Sequence, residues 1–143
     1  MSAKVRRELC MDILVKKAQE NLQAADLLEK QSLFNAAMNC LYHHVYLLVY
    51  RKLLVLGIDN EENAVEKHKR AVDYLFQESK KKNPDAAAAC QLLCSLKGAR
   101  VKANYKCANI SPEEYRKWYG EFKKNERPLT RAVKIEEEEV EDV

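Results

Sequence analysis

Residues 34–57 read FNAAMNCLYHHVYLLVYRKLLVLG, and this stretch decides how the chain folds. It is apolar on nearly every face, as is typical of a central helix in a helical bundle. Five polar or aromatic side chains recur in it at helical spacing, on one stripe of an α-helix. Because a buried polar group without a hydrogen bond costs about 1 to 3 kcal/mol, the stripe predicts a network, an interface or a site. We call it the polar seam: Asn39, Tyr42, His43, Tyr46 and Tyr50.

The rest of the chain also predicts helices. Only three Gly and three Pro occur in 143 residues, and 47% of the residues are apolar, so long apolar runs at helical spacing have few breaks. We predict an all-α protein: an up-and-down four-helix bundle with a fifth helix packed across it, forming one domain over residues 1–134. The predicted helices span about 8–30, 34–56, 64–79, 84–105 and 112 to near 128. In the first of them, the predicted buried stripe is Leu14, Ala18, Leu22, Ala25 and Leu28.

Two of the helix starts carry the same local signal. Asn83 followed by Pro84, and Ser111 followed by Pro112, each place a capping side chain before a proline at the first helical position. Glu114 adds the acidic residue of a capping box three positions after Ser111. These residues predict where helices four and five begin.

Composition argues against several classes of protein. Five cysteines, an odd number, and an N-terminal sequence without a secretory signal predict reduced thiols and a cytoplasmic location. Ionisable residues interrupt residues 34–57, which argues against a membrane-spanning helix. Cys90 and Cys94 lie one helical turn apart, but no further spaced ligands support them, so we predict no metal site and no cofactor. Motifs of kinases, proteases and hydrolases are lacking.

The charge of the chain is unevenly distributed. The last nine residues, IEEEEVEDV, contain six acids and no base, so residues 1–134 carry a formal charge of +9 against +3 for the whole chain. Residues 97–134 contain eleven Lys or Arg and four Glu. Such clustering is typical of a nucleic-acid footprint, although solvated helix faces are also rich in Lys and Arg. We predict that residues 135–143 form a disordered acidic tail, which could mask the basic face.

The residues proposed for chemistry lie on predicted helices two and four. Arg100 supplies a cationic fork that binds phosphate through two hydrogen bonds, and Asn104, one turn later, could hold a ribose hydroxyl or a base edge. His43 is the candidate general acid or base, which metal-free RNA cleavage requires. A neutral, hydrogen-bonded core histidine is the alternative role for His43, and an Arg at a helix edge often only extends into solvent.

Residues 37–44, on predicted helix two, read AMNCLYHH, and residues 100–105, on predicted helix four, read RVKANY. These two short motifs resemble a branch of the HEPN superfamily, small helical bundles of prokaryotic toxin-antitoxin and defence systems. That branch carries A-x-[NS]-R-A-Y-Y-A on helix two and R-x-x-A-D-Y on helix four. Gly57 and the His68-Lys69 pair also fall where that branch tends to have Gly and His-Lys.

The resemblance implies a homodimer in which helices two and four line a cleft. It transfers binding roles to Asn39, Tyr42, Arg100, Asn104 and Tyr105. Metal-independent RNases of the superfamily have a His four to six residues after the Arg, and this chain has none there. Such proteins are frequently encoded beside a minimal nucleotidyltransferase, for which they act as a toxin partner or a substrate-binding subunit.

Three functions stay open from the sequence. The first is binding of RNA or a nucleotide, with Arg100 and His43 as candidate catalytic residues of an RNase-like toxin. Asn39, Tyr42, Asn104 and Tyr105 would then bind the substrate. The second is a non-catalytic interaction or substrate-binding module for a nucleotidyltransferase, which the missing histidine favours. In the third, the polar seam only fixes how the core packs.

Overall fold

A computed structural model describes residues 2–55 and 65–133 of the chain. This part is helical, and no strand occurs in it. The prediction of an all-α protein is therefore confirmed. The helices are α1 (Ala3–Lys30), α2 (Phe34–Val55), α3 (Val65–Lys82), α4 (Pro84–Tyr105), α5 (Pro112–Lys124) and α6 (Glu126–Val133).

Helix α1 is longer than the sequence pattern predicted, because Ser2 caps it. The Ser2 hydroxyl accepts a hydrogen bond from the backbone N–H of Val5 at 3.1 Å, so the helix begins at Ala3 rather than near Glu8. At its other end, Ser32 adopts a left-handed conformation with φ of 59°. The N–H of Ser32 donates to the carbonyl of Glu29, and the N–H of Leu33 donates to the carbonyl of Leu28, both at 2.9 Å. These two hydrogen bonds form a Schellman motif.

The predicted starts of α4 and α5 are confirmed. Asn83 Oδ1 accepts from the N–H of Ala86 at 3.1 Å, and Ser111 Oγ accepts from the N–H of Glu114 at 3.0 Å. In each helix a proline follows the cap directly. A proline is tolerated there because its missing N–H would have no partner inside the helix.

Helix α5 ends at Lys124, before Pro128, and a sixth helix that the sequence analysis did not predict follows it. Proline lacks an N–H, and its ring clashes with the carbonyl four residues earlier, so a helix through Pro128 would be broken near Lys124. The chain instead turns at Asn125, whose side-chain amide donates to the carbonyl of Glu121 at 2.8 Å. Helix α6 then begins at Glu126, with Pro128 in its first turn.

Helix α2 occupies the middle of the molecule, with α1 along one side and α4 along another. Helices α3 and α6 pack mainly on α4. The predicted core side of α1 is confirmed: Leu14, Ala18 and Ala25 are buried, and Leu22 and Leu28 are partly buried against the same core. The largest fully buried side chains are Tyr115, Phe122, Met38, Leu41, Leu53, Leu96 and Leu129.

Three sequence predictions lie outside the described residues. They are the stop of helix two at Gly57, the polar connection over residues 59–63, and the acidic tail over residues 135–143. Within the described helices, none combines the length and the apolar character needed to cross a membrane.

Candidate functional site

Helix α2 presents its two adjacent histidines to different surroundings. His44 is 7% exposed and its Nδ1 donates to the backbone carbonyl of Ala18 on α1, at 2.7 Å. Its ring meets that of Phe122 edge-on, with centroids 5.4 Å apart. Burial lowers the pKa of His44, so the ring is neutral at physiological pH. His44, rather than His43, is therefore the satisfied core histidine of this helix.

The polar seam forms a ladder of rings along α2. The centroids of Tyr42 and Tyr46 are 5.8 Å apart, and those of Tyr46 and Tyr50 are 6.0 Å apart with the planes 22° from parallel. His43 lies beside the ladder, 5.4 Å from Tyr42 and 6.1 Å from Tyr46. The helical spacing read from the sequence thus brings these side chains into contact along one side of the helix.

Arg100 of α4 lies over this ladder. Its guanidinium carbon is 5.1 Å from the centroid of the Tyr42 ring, a distance at which a cation is attracted to the ring face. Arg100 is half-buried, and its Nε atom is buried without a hydrogen-bond partner in the described part of the chain. Burial raises the pKa of Tyr42, and the charge of Arg100 opposes that rise. The site therefore holds a cation with an unused donor.

Asn104 and Asn39 join the two helices beside Arg100. The side-chain amide of Asn104 donates to Oδ1 of Asn39 at 3.0 Å, across 65 residues of sequence. Asn104 is exposed and Asn39 is half-buried, so the pair lies at the border between the helix interface and solvent. This hydrogen bond uses one N–H of the Asn104 side chain. Its second N–H and the side-chain NH₂ group of Asn39 remain for other partners.

His43 has a defined orientation at this site. Its Nδ1 lies 2.8 Å from the backbone carbonyl of Asn39, one helical turn earlier, and a carbonyl can only accept. Nδ1 therefore carries the hydrogen, and Nε2 is the basic nitrogen of the neutral ring. His43 and Arg100 lie within 5.5 Å of the same Tyr42 ring. The chain thus places a candidate base and a cation on one aromatic side chain.

Tyr105 is separate from the other predicted site residues. It is the last residue of α4, and 71% of its surface is exposed. Among the residues that the structure describes, it makes no hydrogen bond or ring contact. No described contact joins Tyr105 to Arg100, and the ring that lies against Arg100 belongs to Tyr42.

Asn35 is a residue of this region that the sequence analysis missed. Its Oδ1 accepts from the backbone N–H of Ile110 at 2.8 Å, and its amide donates to Asn109 Oδ1 at 3.1 Å. Ile110 is buried, so the loop after α4 is tied to the first turn of α2. Asn35 lies four residues before Asn39, and that spacing was the available signal for a longer polar stripe.

The basic region predicted over residues 97–134 is partly neutralised. Lys102 Nζ contacts both carboxylate oxygens of Glu114, at 2.9 and 3.0 Å, and Arg131 Nε donates to Asp85 at 2.9 Å. Two further pairs join neighbouring turns: Lys123 with Glu126 and Lys124 with Glu121. These contacts leave Arg100 as the half-buried cation that faces the ladder without a carboxylate among its described contacts.

No metal centre is formed by the described residues, since no group of three His, Cys, Asp or Glu side chains converges there. Cys90 is buried, which raises its thiol pKa to about 12, whereas Cys94 is exposed.

No family model, curated protein or solved structure matches the chain. The contacts of the site therefore carry the functional argument.

Proposed function

We propose that the chain is a HEPN-type homodimeric protein that binds RNA or a nucleotide on the face shared by α2 and α4. The observation that carries this proposal is the half-buried Arg100, which lies on Tyr42 with its Nε unpartnered among the described residues. A guanidinium held in this way is suited to a phosphate, because it offers parallel N–H donors from a fixed plane. The all-α fold and the motif residues 37–44 and 100–105 are what support the family assignment.

Three further features favour a nucleic acid over a simple anion. Tyr42 is buried beneath the cation, but the half-buried Tyr46 and Tyr50 continue the ladder beside it, and bases stack on aromatic side chains in single-stranded complexes. Asn104 and Asn39 offer amide groups of the kind that bind ribose hydroxyls and base edges. Lys97, one turn before Arg100, adds a second positive charge on α4. In this proposal Tyr105 contacts the bound chain from the end of α4.

The test is binding of a fluorescein-labelled single-stranded RNA, followed by fluorescence anisotropy at two salt concentrations. Arg100→Glu should weaken binding by at least about tenfold, because it replaces a phosphate ligand with a repelling charge. Arg116→Glu is the matched control, since Arg116 is an exposed Arg of α5 and the change in net charge is the same. Equal losses in both variants would mean general electrostatics only, and unchanged binding by Arg100→Glu would refute the site.

Cleavage is the catalytic extension of this proposal. His43 Nε2 would take the proton of a ribose 2′-OH while the 2′-oxygen bonds to the adjacent phosphorus, and Arg100 would stabilise the charge that develops on the phosphate. The bond from phosphorus to the 5′-oxygen would break, leaving a 2′,3′-cyclic phosphate, and water would protonate the leaving 5′-oxygen. RNA incubated with the protein in EDTA should be cut by the wild type and not by His43→Ala or Arg100→Ala. His43→Gln separates basicity from packing, because glutamine retains a donor but cannot take up the proton.

A non-catalytic role is the second candidate, and one contact favours it. The position four residues after Arg100 is Asn104, whose amide is bonded to Asn39 and cannot transfer a proton at neutral pH. A subunit that binds substrate for a minimal nucleotidyltransferase needs Arg100 and the asparagine pair but no base. Binding that depends on Arg100, together with intact RNA in every lane, would favour this role.

A further inference from the structure

Helix α1 exposes an ordered row of side chains on the side turned away from α2. We call it the α1 stripe; successive members are three or four residues apart, so they share one face of the helix. Its apolar members are exposed by 44 to 56%, well above the buried residues on the opposite side of the same helix. The α1 stripe consists of Val5, Leu9, Ile13, Lys16, Glu20, Gln23 and Leu27.

When the α1 stripe is reversed about Ala18, two of the pairs that form are complementary, and a third places Ile13 opposite Gln23. Leu9 and Leu27 are equally far from Ala18 in sequence, and so are Lys16 and Glu20. Two copies of α1 placed antiparallel would therefore pair Leu9 with Leu27 at both ends and Lys16 with Glu20 twice near the middle. A two-fold interface has this property, because the same patch serves both subunits.

Charge selects the antiparallel arrangement over the parallel one. A parallel pair in register would place Lys16 against Lys16 and Glu20 against Glu20, and like charges facing across an interface are unfavourable. The length is also sufficient, because the 28 residues of α1 span about 42 Å. We propose that the α1 stripe is a dimerisation surface on which a second copy of this chain packs antiparallel.

This inference names the surface for the homodimer of the proposed function, and it does not depend on RNA binding. Helices α1 and α4 both pack on α2, and the α1 stripe faces away from that contact. The pairing therefore leaves Arg100 and the tyrosine ladder outside the interface. A single helix stripe buries less than the roughly 1,200 Å² of standard complexes, so the dimer should be weak and concentration-dependent.

Sedimentation velocity of the full chain, at about 1 to 200 µM, measures how strongly it dimerises. The proposal is tested by exchanging the charges at positions 16 and 20. Lys16→Glu alone and Glu20→Lys alone each place like charges at both central pairs, so each should weaken the dimer by roughly tenfold. Lys16→Glu combined with Glu20→Lys in one chain should restore it. An equimolar mixture of the two single variants should also associate, because each chain then carries charges opposite to its partner's.

Leu9→Lys tests the apolar ends, and Tyr74→Lys is its control. Both residues are about half exposed, but Tyr74 lies on α3 and outside the α1 stripe. Leu9→Lys should abolish association, whereas Tyr74→Lys should leave it unchanged. Circular dichroism identifies any variant that fails to fold, and the combined exchange keeps the wild-type composition.

The possible results separate this inference from the proposed function. A wild-type chain that stays monomeric at every concentration overturns both the α1 pairing and the homodimer. A dimer that persists in Leu9→Lys and in both single charge variants overturns the α1 stripe alone and leaves a homodimer formed elsewhere. The anisotropy test on Arg100 is independent of each of these results.

Discussion

The two sides of α2 use the same kinds of residue in opposite ways. Toward α1, His44 is buried, bonded to Ala18 and packed on Phe122, so its polar nitrogen completes a closed core. Toward α4, Arg100 lies over Tyr42 with a buried Nε that no described group accepts, and Asn39 and Asn104 meet at the edge of solvent. His44 thus has its polar nitrogen satisfied inside the core, whereas Arg100 keeps a buried donor that no described group accepts.

This difference separates stability from function on one helix. Substitutions on the α1 side should change the free energy of unfolding and leave ligand binding intact once the chain is folded. Substitutions of Arg100, Asn39 or Asn104 on the α4 side should change binding and cost little stability, because these side chains are half-buried or exposed, whereas Tyr42 is buried and its loss would also cost stability. The following predictions test that division, from the largest expected effect to the smallest.

Phe122→Ala should have the largest effect on stability. The side chain is fully buried and packs on His44 and Tyr119, so its loss leaves a cavity between α5 and α2. We expect the free energy of unfolding to fall by about 3 to 5 kcal/mol. Urea unfolding followed by circular dichroism measures it. Phe122→Leu fills most of the volume and should cost clearly less, whereas equal losses would contradict the cavity argument.

His44 should make stability depend on pH. Its folded-state pKa is lowered from the ordinary 6.5, so below that pH the unfolded chain takes up a proton that the folded chain resists. The contribution is complete above about pH 6.5 and is lost as the pH falls toward the lower folded-state pKa. Melting temperatures between about pH 7 and 5 should fall more steeply for the wild type than for His44→Gln. Parallel curves would show that folding does not lower the pKa of His44.

The Asn39–Asn104 contact should have the smallest effect. Because the hydrogen bond is at the solvent edge, Asn39→Ala and Asn104→Ala should each cost about 0.5 to 1 kcal/mol, and the double variant less than their sum. RNA binding should be lowered more than stability is. A double variant with strictly additive stability losses would mean that the two amides do not act on each other.

Local signals in the sequence were sufficient to predict the helices that they mark. Asn83-Pro84 and Ser111-Pro112 located α4 and α5 correctly, because a cap and a first-turn proline act within four residues. Helix α6 was missed because Pro128 was interpreted as an end, although a proline in a first turn equally opens a helix. The sequence is consistent with Pro128 ending one helix or lying in the first turn of another. The packing of α6 on α4 decides for the second.

The candidate site was predicted in part. Helical spacing placed Asn39, Tyr42 and His43 on one side of α2, and the structure brings Arg100 and Asn104 to them. Spacing within one helix could not say which histidine faces α1, since that depends on where Ala18 and Phe122 lie. Helical spacing also did not predict that Tyr105 is exposed, since that exposure depends on α4 ending at this residue.

The hydrogen bonds of Asn35 bear on the order in which the molecule assembles. Helices α1 and α2 are joined by a short turn and can pair as soon as both form, whereas Asn35 must meet Ile110 across 75 residues. Closing so long a loop carries an entropic cost that adjacent helices do not bear. We therefore expect the face of Arg100 to form after the α1–α2 hairpin and to open before it when the chain unfolds partially. Amide hydrogen exchange should then be faster at the contact between the α4–α5 loop and α2 than in the α1–α2 hairpin.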